Sequence, residues 1–83
     1  MTLREHLSIL GFEDTRKDYT IVEDHHYIVS LGTDGIWMML ELSSPVLNIV
    51  IRESLEVEDL LEREDVEVNN RYGILTVEHI PVD

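Results

Sequence analysis

Residues 53–67 hold the densest chemistry in the chain. Glu53, Glu56, Glu58, Asp59, Glu62, Glu64, Asp65 and Glu67 fall in this stretch, with Arg63 as the one cation among them. Carboxylates at this density have three uses: acid–base work, cation binding, or docking on a basic surface. A general acid–base pair needs surroundings that push two carboxyl pKa values apart. It also needs a substrate context, and no nucleophile elbow, P-loop, dinucleotide fingerprint or calcium-loop spacing accompanies these acids. The expectation is therefore a non-enzymatic protein with no cofactor. Docking is the reading that fits the residue types, since an anionic stretch attracts a basic protein surface. In its sharpest form the carboxylates occupy the phosphate sites of a nucleic-acid-binding protein. A solvated face that keeps a small chain dispersed accounts for the same residues.

The other chemistry-bearing side chains are four histidines and a short aromatic–thioether run. His25 and His26 are adjacent, so on a strand they point to opposite faces and do not chelate one ion. His6 and His79 lie far away in sequence, and no zinc spacing is present. The expectation is no metal. Trp37 and Met39 alternate with Met38 along one strand pattern, which puts Trp37 and Met39 on a common face. Trp and Met are favoured at adaptable protein interfaces, so this pair is the candidate apolar contact beside the acids.

Several elements must position these residues. Thr2-Leu3-Arg4-Glu5 is a capping box, Leu3, Leu7 and Leu10 form a stripe at i, i+4 and i+7, and Gly11 suits a left-handed helix end. A helix is predicted over 2–10, with Phe12 packing back on Leu7. Residues 13–18 read as a charged connector. Strands follow at 19–23 and 26–31 around an Asp24-His25 turn. GTDG at 32–35 signals a hairpin, and IWMMLEL at 36–42 is its second strand. Ser43-Ser44-Pro45 breaks the run, and VLNIVIR at 46–52 reads as a further strand with Leu47, Ile49 and Ile51 on one face. For 53–67 two readings compete. A helix over about 55–63, capped by Ser54, would carry Val57, Leu60 and Leu61 on one face with an Asp59–Arg63 pair. Alternatively the preceding strand continues through Leu55 and Val57. The helix is preferred. A last hairpin joins 65–69 to 74–80 across an Asn69–Gly73 loop.

The expected fold is α+β: an antiparallel meander of hairpins, with the N-terminal helix and the short second helix packed on one face. The 83 residues are read as one domain, 1–83. A domain of this size buries only about 60% of its unfolded surface, so a homodimer would gain by burying more. There is no cysteine, which excludes a disulfide framework and fits an intracellular, cytoplasmic protein. No apolar run is long enough to cross a membrane, and the N-terminus lacks the basic and apolar regions of a secretory signal. The net charge of −12 repels nucleic acid and anionic membranes. A protein with a basic surface is the partner it favours.

The element order with its acid excess is similar to the class I chaperones of type III secretion, which are acidic dimers. The tail DVEVNNRYGILTVEHIP resembles the last strand of α-crystallin-type small heat-shock proteins, with one extra residue between Gly73 and Pro81. Neither likeness spans enough of the chain to define a family. The function expected is an acidic protein-binding module, an inhibitor or adaptor of the kind small mobile-element or viral genes encode. A small dimeric chaperone that binds an extended segment of another protein is the alternative.

Overall fold

The computed structural model describes residues 1–81. Its first helix, α1 (Leu3–Ile9), begins as the capping box requires. The Thr2 hydroxyl accepts from the Glu5 amide at 3.2 Å, and the Glu5 carboxylate accepts from the Thr2 amide at 3.1 Å. Leu3 and Leu7 are buried. Leu10, expected as the third member of the stripe, is instead the exposed C-terminal cap. Gly11 then turns the chain at φ +92°, and Phe12 packs against the core.

Strands β1 (Phe12–Val22), β2 (His25–Gly32) and β3 (Trp37–Leu42) form an antiparallel meander. The stretch 13–18, read as a connector, lies inside β1. Its charged residues tolerate this because β1 is an edge strand with one ladder to satisfy, and its register slips between Phe12 and Asp14 and between Thr15 and Tyr19. The first turn lies at Glu23-Asp24, one residue earlier than expected, with φ of 50° and 65°. Two positive φ values match the right-handed twist of a tight hairpin.

The segment expected as a strand over 46–52 is a helix, α2 (Ser44–Glu53). Ser43 and Pro45 start a helix here rather than break a strand. The Ser43 hydroxyl accepts from the Val46 amide at 3.5 Å, and proline fits the first turn, where amides lack partners anyway. Val46, Ile49 and Val50 are buried at i, i+3 and i+4, so tertiary burial overrides the β-branched preference. A strand would treat Ile49 and Ile51 alike, yet Ile49 is 7% exposed and Ile51 64%.

Ser54 closes α2 in a left-handed conformation, φ 51°, and does not cap the next helix. That helix, α3 (Val57–Leu61), buries Val57, Leu60 and Leu61 as the stripe requires. Strands β4 (Val66–Arg71) and β5 (Ile74–His79) make the last hairpin. Its turn is Tyr72-Gly73 alone, both at positive φ, rather than a five-residue loop.

The five strands lie in the order β1-β2-β3-β5-β4. The sheet is mixed, which corrects the all-antiparallel meander. β5 inserts beside β3 and runs parallel to it through Glu41↔Thr76 and Leu42↔Val77. Parallel neighbours need a crossover of a dozen residues or more, and α2, α3 and β4 together supply it, with β4 carrying the chain back to the end of the sheet where β3 begins. The core joins Leu3 and Leu7 of α1, Val46 and Val50 of α2, and Val57, Leu60 and Leu61 of α3 to the strands. The strand members Ile28, Leu40, Leu42, Val66 and Val77 share one side of the sheet by register and alternation. No described helix is long and apolar enough to cross a membrane.

The helical register of α2 makes a simple prediction. Ile49→Ala should cost about 2–5 kcal/mol in urea unfolding. Ile51→Ala should stay within about 0.5 kcal/mol. Equal losses at both positions would contradict the helix.

Candidate functional site

The carboxylates of 53–67 gather cations from elsewhere in the fold. Arg4 of α1 donates to Glu62 at 2.9 Å, and Lys17 of β1 reaches Glu58 at 3.2 Å. The N-terminal ammonium lies 3.7 Å from Glu64. Arg63 is the hub. It forks onto Asp65 at 2.9 and 2.7 Å and reaches Glu53 at 3.1 Å. Its own carbonyl accepts from the Leu3 amide at 3.0 Å, which ties α1 to the α3–β4 junction. The expected Asp59–Arg63 pair does not form. Asp59 instead accepts the Glu56 amide at 3.0 Å, at the start of α3. Glu67 accepts from the Asn69 amide group at 2.9 Å.

The structure does not bring the other two candidates, Trp37 and Met39, to this segment. α3 packs its buried residues with Ile28, Leu40 and Val77, whereas Trp37 and Met39 have the opposite parity on β3. They stand on the far side of the sheet, 50% and 41% exposed. Register adds Leu31 opposite Trp37 and Val29 opposite Met39, and the same side carries exposed Ile74 at the start of β5. These neighbours were invisible to a reading of single strands, because only pairing places them. Tyr27 falls on this side beside Glu41. Tyr72 is fully exposed on its turn. Met38, on the helix-bearing side, is exposed as well.

The far side has a polar half next to the apolar one. His25 lies 2.8 Å from Glu41, Arg71 pairs with Glu78, and the Asn69 side chain also donates to Glu78 at 2.7 Å. His25 and His26 have opposite parity, as adjacency requires. The Nδ1 of His26 is buried without a protein partner. His79 lies 3.6 Å from Asp65. Among the described residues, no three histidines or carboxylates stand together in a way that could hold a metal ion. A groove of about 620 Å³ runs between α1, α3 and β1, floored by Leu7, Val57 and Leu61. Arg4, Lys17 and Glu58 line its walls.

The perturbed protonation equilibria have structural causes. The Thr2 amide holds the Glu5 carboxyl below its usual range. The Arg63 fork holds Asp65 low, and Asp65 raises Arg63 in return. Burial, with Glu56 and Asp59 nearby, pushes the Tyr19 hydroxyl up to about 12. That hydroxyl donates to the Leu55 carbonyl at 3.3 Å. Each shift thus arises from a cap, an ion pair or a packing contact.

No family model, no curated protein and no solved structure matches this chain.

Two titrations check this electrostatic picture. Asp65 is depressed in the folded state, so its contribution is present above the unfolded pKa of about 3.9 and is lost as pH falls through the folded value. Asp65→Asn should therefore lower the urea midpoint at neutral pH, and the difference should vanish in strong acid. Tyr19 is raised, so its contribution is intact below about pH 10 and is lost toward about 12. In an ultraviolet titration of the tyrosines, one ionisation should lag the others, and Tyr19→Phe should remove that late phase.

Proposed function

We propose that this chain is a non-catalytic, acidic protein-binding module, which docks the carboxylates of 53–67 on a protein with a basic surface. The most concrete version is an inhibitor that covers a nucleic-acid-binding site. Glu56, Glu58, Asp59, Glu62 and Glu64, on and beside α3, are exposed, while the buried residues of α3 join the core.

The observation that carries this reading is the way the acids are held. Glu58, Glu62 and Glu64 are paired only with solvent-exposed cations. Exposed pairs of this type are worth about 0–1 kcal/mol each, so a partner's Lys and Arg can displace Lys17 and Arg4 at little cost. Glu56 is exposed and has no cation of its own within the segment. The surrounding charge of −12 then steers a basic protein toward this side.

The test is charge reversal read against salt. A variant carrying E56K, E58K, D59K and E62K should bind a basic partner from the native host at least about tenfold more weakly. The wild-type complex should dissociate between about 0.1 M and about 1 M salt, as the screening length falls from roughly 10 Å to about 3 Å. Undiminished binding by the reversed variant would defeat the electrostatic mechanism.

A further inference from the structure

The sheet separates two surfaces of unlike electrical character. On the side that bears Trp37 and Met39, the charged groups cluster away from those two residues: His25 lies 2.8 Å from Glu41, and Arg71 pairs with Glu78. Of the carboxylates there that no Arg or Lys meets, Asp14, Asp18 and Glu67 belong to the edge strands β1 and β4, and Glu41 lies at the His25 end of β3. They stand at the margins of the face. Its middle strand is β3, and at its apolar end Trp37, Met39, Leu31, Val29 and Ile74 adjoin. In a chain of net charge −12, the far-side positions of β2, β3 and β5 at this end of the face carry no charged side chain.

We infer that this face is a self-association surface, on which a second copy of the chain packs sheet against sheet about a twofold axis near Met39. A twofold contact sets each patch against itself, so apolar meets apolar at the centre. The Asp14, Asp18 and Glu67 carboxylates fall on the edge strands, at the wetter rim. Charge geometry selects a copy of this chain over a basic partner as the occupant. The exposed acids on and beside α3, Glu56, Glu58, Asp59, Glu62 and Glu64, belong to the element that packs with the other side of the sheet. In a face-to-face dimer those acids point away from each other, which keeps like charges as far apart as the fold allows.

Area is adequate. Five strands spaced by about 4.8 Å, each of six residues or more rising about 3.3 Å, give a face of roughly 20 by 24 Å. That is on the order of 500 Å² flat, and side-chain relief raises the accessible area toward the roughly 800 Å² per partner of a standard interface. Small domains have the most to gain from such burial. The product is a dimer that shows an acidic surface at each end, which would let a basic target with repeated sites bind both ends.

Sedimentation of the full chain from about 1 to about 300 µM tests this, at about 0.1 M and about 1 M salt. The wild type should dimerise, and more tightly at high salt, because screening relieves repulsion between two acidic chains. Trp37 is the only tryptophan, so its emission should shift to the blue as the dimer forms. Met39→Glu should weaken association by at least about 100-fold, since it would bury an unpaired charge at the axis. Ile74→Glu, elsewhere on the same patch, gives the same readout if Met39→Glu fails to fold. A wild type that stays monomeric at the highest concentration in high salt overturns the inference. So does a dimer that both glutamate variants retain. Salt separates this inference from the acidic docking above: it strengthens self-association and weakens binding to a basic protein. The quadruple reversal at 56, 58, 59 and 62 should leave the dimer in place, so either reading can fail without the other.

Discussion

Two residue pairs hold the halves of this fold together. Glu41↔Thr76 and Leu42↔Val77 are the whole register between β3 and β5, and they join the β1-β2-β3 meander to the β4-β5 hairpin. Backbone continuity through so short a ladder is worth little alone. Its strength comes from the side chains it aligns, since Leu42 and Val77 enter the same core as Leu3, Val46 and Leu60. The parallel direction in turn requires β4 to run back along the sheet, after α2 and α3 have carried the chain past the position that β5 fills. Once β5 lies beside β3, Ile74 and Met39 are neighbours on the far side. The exposed apolar patch therefore depends on the same contact as the core.

The sheet then acts as a partition. On one side, buried leucines and valines of the helices and strands share one core, and Glu56, Glu58, Asp59, Glu62 and Glu64 are exposed beside it. On the other side, charged groups flank an apolar cluster around Trp37, Met39 and Ile74. Arg63 stabilises the first side by linking the ends of α2 and α3 to the start of β4 through Glu53 and Asp65. Its carbonyl holds the start of α1. An acidic segment that looks from its composition like a free anionic surface is thus partly structural. The charges on its outer face remain the ones open to exchange.

Much of this was legible from local chemistry. The capping box at Thr2 and Glu5 needs only neighbours three residues apart. The stripe of Val57, Leu60 and Leu61 competed with a strand reading and won, because burying all three at once requires helical spacing. Residues 46–52 were misread for the opposite reason. Val46, Leu47, Ile49, Val50 and Ile51 satisfy both periods, and their β-branching favoured the wrong one. Ser43 and Pro45 held the correcting signal, which reads as a stop after β3 or as a start before α2. Trp37 and Met39 were placed on a shared face by alternation alone. Their separation from the acids was not legible, because it depends on which side the helices take.

By itself, the sequence determined the quantities that sum or act over a few residues: the charge, the capping box of α1, the Asp34-Gly35 turn, and the alternation along the strands it identified. Those follow from side-chain type and short-range backbone sterics, which do not wait for the rest of the chain. The tertiary structure alone decided the parallel entry of β5, the helical state of α2, the cations that meet each carboxylate, and the side of the sheet left open. Each of those is a choice between local alternatives of similar energy. Each was settled by how much apolar surface the whole chain could bury at once.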